Sequence, residues 1–264
     1  MKGIDRIKGI FETDKPIKLM THVVGGYPDM KTCEEIILVM AQRGVDMIEI
    51  QLPFSDPTAD GPVIVQANHR ALHSGVTTES VLAMIERVRK KIAIPLLIMS
   101  YINPVFAYGI PAFVKKSAEI GVDGFIIPDC PPEEDEFGFP ALCEEHGLAF
   151  VPLIAPTTTG KRIVILMKHS SSPFVYAVLR MGVTGRTTAL DSETIAYLTR
   201  VKEQTNRFVA AGFGIREKAQ LVALAGHADC GIIGSEILRT IHRALDNGEN
   251  PAWMVGDFIE SIVE

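Results

Sequence analysis

The chain has 264 residues, a net charge of −6, 47% hydrophobic residues and 22% charged residues. That balance supports a large buried core rather than a disordered chain, and with no basic block to neutralise phosphates it excludes a nucleic-acid binder. Cys33, Cys130, Cys143 and Cys230 form no CxxC pair and have no spaced histidine beside them, so no structural zinc site is expected, and scattered free thiols fit a reducing cytosol.

The opening run MKGIDRIKGIFETDK alternates charge with apolar residues, so a helix over Gly3–Phe11 is expected there and not a signal peptide. No stretch approaches the roughly 20 apolar residues of a membrane span. Strand-like runs follow at Lys18–Val24, Asp46–Gln51, Pro95–Tyr101, Gly124–Ile127, Ala149–Ile154, Phe174–Val178, Phe208–Ala211 and Cys230–Ile233. Between them, amphipathic spacing predicts helices over Thr32–Arg43, Thr78–Lys91, Ala112–Glu119, Glu133–His146, Ser192–Thr205 and Glu217–Ala225, with a last helix at Pro251–Val263.

Strands that alternate with helices pair in parallel through crossovers. The runs RGVDMIEI (43–50), IGVDGFII (120–127) and HADCGII (227–233) repeat one unit, a helix end, a turn holding Asp and an apolar strand, with Gly44 and Gly121 as helix caps. The expectation is an α/β fold, a single-domain (β/α)8 TIM barrel over residues 1–264 with extra N-terminal and C-terminal helices. An open doubly wound sheet is the competing arrangement.

In a barrel, chemistry belongs on the loops after the strands' C-terminal ends. Alternation in the second strand turns Ile48 and Ile50 toward the helices and Met47, Glu49 and Gln51 toward the axis. A carboxyl inside a barrel is costly to desolvate, can hold a proton near neutrality and is a candidate acid–base group; pairing with a barrel Lys or Arg is the plainer alternative. The loop beyond it, PFSDPTADGP (53–62), is stiffened by prolines, and its Asp60 is either an N-cap for the helix that follows or a site residue.

At the other end, GFGI (212–215) and GS (234–235) follow the last two strands in the order used by barrel phosphate sites, with backbone N–H groups at a helix start. A third glycine for a dinucleotide fingerprint is missing. The loop after Tyr176 carries Gly182, Thr184 and Gly185, small residues suited to a lid or to an ordinary surface loop.

The runs PFSDPTADGP, GYPD (26–29), YINPVFAYG (101–109), GVDGFIIPDCPPEE (121–134), APTTT (155–159), GVTG (182–185), AGFGI (211–215) and IGS (233–235) together resemble the tryptophan synthase alpha-subunit family over nearly the whole chain. The resemblance implies cleavage of indole-3-glycerol phosphate to indole and glyceraldehyde 3-phosphate by a carbon–carbon lyase of the cytoplasm, without a metal or organic cofactor. It implies a pyridoxal-phosphate beta subunit as partner in an alpha2-beta2 heterotetramer.

By the same resemblance Glu49 is the acid–base group and Asp60 holds the indole N–H. Tyr176 lies near the glycerol chain, Thr184 is the lid residue, and Phe213 lies beside the indole. Gly185, Gly214, Gly234 and Ser235 take the phosphate, Pro53 and Asp56 meet the partner, and Asp129 is an acid of the site region. The chain departs from the family's usual residues at His22, Val24, Gln51, Val65, Leu179 and Glu236. Gln51 is expected one pleat above Glu49, in reach of a hydrogen bond to it, and Glu236 places a like charge near the phosphate. His22 is either a pocket residue or a core filler. Two further readings are a catalytically weak subunit that activates a beta partner, and a stand-alone lyase.

Overall fold

The computed structural model describes residues 2–134, 137–179, 190–212 and 214–264. Among these, nine strand segments form one parallel sheet: β1 (Lys18–Val24), β2 (Met47–Gln51), β3 (Leu96–Met99), β4 (Gly124–Ile126), β5 (Ala149–Phe150), β6 (Leu153–Ile154), β7 (Phe174–Val178), β8 (Phe208–Gly212) and β9 (Cys230–Ile233). Their order is β5-β4-β3-β2-β1-β9-β8-β7-β6. The two end segments are halves of the single run 149–154, which the sequence reads as one strand. Val151 N donates to Phe125 O beside β4 at 2.9 Å, and Pro152 O accepts from Tyr176 N of β7 at 3.0 Å. Proline has no N–H to give, so the run hands its pairing from one neighbour to the other at that point. The ring therefore closes through eight strand positions, as a (β/α)8 barrel.

Twelve α-helices surround it among the described residues: α1 (Gly3–Phe11), α2 (Met30–Gln42), α3 (Pro62–His73), α4 (Thr78–Arg89), α5 (Ile102–Tyr108), α6 (Ile110–Glu119), α7 (Phe139–Glu145), α8 (Gly160–Lys168), α9 (Ser192–Thr205), α10 (Lys218–Leu224), α11 (Ser235–Asn247) and α12 (Pro251–Val263). The helix expected over Glu133–His146 is shorter. A 3-10 turn occupies Pro132–Glu134 and α7 begins at Phe139, because Gly138 takes a left-handed φ of 67° that ends any helix arriving from before it. Helices α5 and α8 were not legible as helices. Pro104 lies in the first turn of α5, where its missing N–H leaves no bond unmade. The IVIL run in α8 has no clear period, and its start is marked instead by Thr159, which accepts from Arg162 N at 3.3 Å.

Two apolar layers result. Ile48, Ile50 and Val175 pack outward under the helices, while Met20, Met47, Leu97, Ala210 and Ile232 fill the barrel interior. Helix α1 plugs the end where the strands begin. Its Phe11 stacks on Phe208, the first residue of β8, with ring centroids 4.5 Å apart.

The repeated turn has one physical purpose in all three copies. Asp46, Asp123 and Asp229 each accept, through Oδ2, the N–H near the start of a neighbouring strand: Leu19 at 2.7 Å, Leu96 at 2.7 Å and Val209 at 2.8 Å. Each is also paired with cations: Lys15 for Asp46, Lys202 for Asp229, and both Arg6 and Arg89 for the fully buried Asp123. Gly44 and Gly121 take φ of 90° and 85° just past α2 and α6, which is the cap expected of them.

Candidate active site

Register and pleat bring the central residues together. His22 on β1 is the Cα partner of Glu49 on β2, and Gln51 lies two residues further along the same face. All three are buried, at 5%, 4% and 0% exposure. His22 Nδ1 lies 3.1 Å from Glu49 Oε1, and His22 Nε2 lies 3.1 Å from Gln51 Oε1. Among the described residues, Glu49 Oε2 is buried with no hydrogen-bond partner, and no Lys or Arg pairs with this carboxyl. A buried carboxylate oxygen with no protein partner is what an acid–base group offers a substrate.

Asp60 completes the cluster and does not cap α3. The cap position is Gly61, without a side-chain bond. Asp60 is 6% exposed, and its Oδ2 accepts from Gln51 Nε2 at 2.7 Å and from the Tyr101 hydroxyl at 3.0 Å. Burial raises the Asp60 carboxyl above its ordinary value; the positive field of His22 and the bonds from Gln51 and Tyr101 oppose that rise, and Glu49 adds to it. The loop is held rigidly: Leu52 N bonds Met99 O at 2.9 Å, Phe54 N bonds Asn68 Oδ1 at 3.0 Å, and Ala59 N bonds the Tyr101 hydroxyl at 2.9 Å.

Gln51 therefore lies on the face expected of it, but its partners are His22 and Asp60 and not Glu49. His22 belongs to the same buried hydrogen-bonded cluster. Burial disfavours its charged ring, but Glu49, Asp60 and the bond from Gln51 outweigh that and hold its pKa above the ordinary value. Tyr101 went unrecognised in the sequence. The only signal was its place at the end of the third strand-like run, facing the axis.

Across the barrel, Tyr176 is the Cα partner of Leu153 and Ala210. Its hydroxyl lies 3.5 Å from where a Cβ on Gly212 would sit, an ordinary contact distance, so Gly212 adjoins the phenol. Burial, then Glu49 and Asp60, push the Tyr176 phenol well above its ordinary value, so it is a neutral hydroxyl. Gly214 has φ 67°, which favours glycine, and Gly234 caps α11, whose first residue is Ser235. A Cβ on Gly234 would lie 3.5 Å from His22 Cβ, so the start of α11 adjoins the Glu49 cluster. Thr184, Gly185 and Phe213 lie outside the described residues.

Of the remaining departures, Val24 is buried in the outer apolar cluster. Leu179 is buried in the outer layer under the helices. Val65 lies with Gln66, His69 and His73 along an open groove on α3. Glu236 is 8% exposed and is met by Arg239 at 3.1 Å, Arg243 at 3.3 Å and Arg216 at 3.5 Å, so its charge is opposed by three cations. Asp129 accepts from Ile102 N at 2.9 Å and so tethers the start of α5. In the loop after β2, Asp56 is exposed and Pro53 half-buried.

Comparison with known proteins shows the family of the chain. The profile of a family described as "Tryptophan synthase alpha chain" matches residues 11–260. A tryptophan synthase alpha chain from Desulforapulum autotrophicum is 40% identical over 248 residues, covering 94% of this chain and 95% of that one. One from Desulfotalea psychrophila is 41% identical over 249 residues, again covering 94% and 95%. The solved tryptophan synthase subunit alpha of Legionella pneumophila str. Paris superposes with a TM-score of 0.89 at 29% identity, covering 99% of this chain and 97% of that one.

Proposed function

The chain belongs to the tryptophan synthase alpha chain family, and on that premise we propose that it is a lyase that cleaves indole-3-glycerol phosphate to indole and glyceraldehyde 3-phosphate. The observation that carries the reading is the buried, unpartnered Oε2 of Glu49 beside an Asp60 oriented by two donors.

The reaction is a retro-aldol cleavage. An indole carbanion is a poor leaving group, so C3 is protonated first, and Glu49 is the acid that does it. Positive charge then spreads to the ring N–H, where ionised Asp60 stabilises it. Deprotonation of the neighbouring hydroxyl breaks the carbon–carbon bond, and Glu49 takes that proton. Tyr176 flanks the glycerol chain. The phosphate is gripped by Gly214, Gly234 and Ser235, together with Gly185. This grip is remote from the breaking bond and supplies binding energy for orientation. Thr184 serves the lid and Phe213 lies against the indole. The chain acts as one barrel domain over 1–264.

For partners, the reading is an alpha2-beta2 complex with a tryptophan synthase beta subunit, met through Pro53 and the exposed Asp56. The compartment is the cytoplasm, a choice supported by four buried cysteines that form no disulfide. Among the described residues, no helix is long and apolar enough to cross a membrane.

The test is to mix the purified chain with indole-3-glycerol phosphate and follow indole release, alone and with a beta subunit. Turnover by the chain alone supports the lyase. Turnover only with the partner makes it a coupled subunit, and silence in both defeats the reading. Glu49→Gln is expected to lower cleavage by a factor on the order of 10²–10⁴ while substrate still binds.

A further inference from the structure

The two carboxyls are joined by a chain of hydrogen bonds whose direction is fixed from one end. The Tyr101 hydroxyl accepts the Ala59 N–H at 2.9 Å, so its own proton goes to Asp60 Oδ2, at 3.0 Å. Ionised Asp60 can only accept, so Gln51 turns its Nε2 toward it, at 2.7 Å. Gln51 Oε1 then faces His22 Nε2 at 3.1 Å, and that nitrogen carries a hydrogen. The other ring nitrogen, Nδ1, faces Glu49 Oε1 at 3.1 Å. A bare Nδ1 against an Oε1 that bears no hydrogen would oppose two lone pairs, whether Oε2 is protonated or not, so a hydrogen sits in this contact as well.

We propose that His22 is a positioning residue for Glu49: protonated on both nitrogens, it occupies Oε1 and leaves Oε2 as the one oxygen that exchanges protons with the substrate. This rests on the reading of Glu49 as the acid–base group. Oε2–H gives its proton to indole C3, and the O–H electrons stay on Glu49 as a carboxylate, met at Oε1 by the Nδ1–H of His22. Oε2 then takes the proton of the substrate hydroxyl. The electrons of that O–H bond become the new carbonyl bond, those of the breaking carbon–carbon bond return to the indole ring, and Glu49 is protonated again. His22 keeps both protons throughout, and Gln51 fixes the ring so that Nδ1 faces Glu49.

The groups facing this cluster are Glu49, Gln51 and Asp60 from β2 and its loop, Tyr101 from the end of β3 and Tyr176 from β7. Burial pushes both phenols above their ordinary value, so the two carboxyls supply the charge that acts on His22. The neighbouring Gly234 brings backbone and no charge.

The test is an ¹⁵N-histidine NMR titration of the full chain, with the His22 signals assigned by their loss in His22→Phe. In the wild type His22 is expected to hold its Nδ1 proton above the ordinary histidine range, and Glu49→Gln is expected to lower that midpoint by roughly 1 unit or more. In turnover, His22→Phe is expected to lower kcat roughly 10- to 100-fold with little change in KM, the loss of one charge-assisted bond to a group that acts on the substrate. His22→Gln keeps an N–H for Oε1 without the charge. It is expected to recover part of kcat while losing the alkaline limb that tracks the His22 titration. A His22 midpoint unmoved by Glu49→Gln overturns the proposal, as do pH–rate profiles of both variants that superimpose on the wild type. If His22 titrates as expected and the wild type releases no indole, the contact stands and the lyase reading falls.

Discussion

The Tyr101 hydroxyl donates to Asp60 Oδ2 at 3.0 Å while accepting the Ala59 N–H at 2.9 Å, so one side chain orients the carboxyl and pins the loop that carries it. Tyr101 itself is 1% exposed and packs in the barrel interior against Phe54. Removing the hydroxyl therefore loses two bonds with almost no change in volume.

Tyr101→Phe is expected to lower kcat/KM about tenfold, the worth of one bond to a charged group, and to lower stability by about 1 kcal/mol. Steady-state kinetics and denaturant unfolding read the two effects separately. An unchanged kcat/KM would mean that Asp60 is oriented by Gln51 alone.

Asp60 makes stability depend on pH in a stated direction. Burial is the largest influence on its carboxyl and holds it above the ordinary 3.8. A carboxyl whose folded pKa is raised binds its proton more tightly in the folded chain. Its contribution is then fully present below the ordinary value and lost as pH rises through the folded pKa. Asp60→Asn keeps an oxygen for Gln51 and Tyr101 and has no charge to desolvate. The variant is expected to melt higher than the wild type at neutral pH, with a gap that closes toward pH 3.8, and to lose turnover. Melting curves across that range decide it; a gap that does not vary with pH would count against the buried charge.

Much of this site was legible before any coordinates, for definite reasons. Glu49 was found because period-2 alternation is rigid: once Ile48 and Ile50 face the helices, the residues between them must face the axis. Parallel pairing followed from the alternation of elements. The relation between His22 and Gln51 was not legible, because it depends on the register of β1 against β2, and 27 residues of chain separate His22 from Glu49. Asp60 stayed open between two readings for a local reason. Its spacing before Gly61-Pro62 suits an N-cap, and only the tertiary position of Tyr101 and Gln51 shows that the carboxyl turns inward instead. The break in the run 149–154 was hidden for a similar reason: a proline in a strand looks like an edge, and here it marks the change of partner that closes the ring.

The repeated turn aspartates are expected to differ in cost. Asp123 is fully buried, holds the Leu96 N–H and balances Arg6 and Arg89. Asp229 holds the Val209 N–H and one Lys202 whose side chain is 43% exposed. Breaking a buried pair leaves an uncompensated charge, so Asp123→Ala is expected to destabilise by about 3–5 kcal/mol. Asp229→Ala mainly strands one N–H and is expected to cost about 1–3 kcal/mol. Urea unfolding measures both, and equal losses would mean that the arginines around Asp123 find other partners.

Glu236 yields a prediction about substrate affinity. It opens α11 next to Ser235, and its carboxyl is shared by Arg216, Arg239 and Arg243. With the carboxylate present, the group carries two net positive charges; without it, three. Glu236→Gln keeps the volume and removes the opposing charge, so the net positive charge that attracts a dianionic phosphate at the start of the helix rises. The KM for indole-3-glycerol phosphate is expected to fall severalfold at low salt, with the gain shrinking as ionic strength rises, since half-exposed charges are screened. Some stability is expected to be lost at the same time, because three cations lose a common partner. A KM that rises, or that stays fixed at every salt concentration, would mean that Glu236 serves only to hold the arginines and that the phosphate is bound beyond their reach.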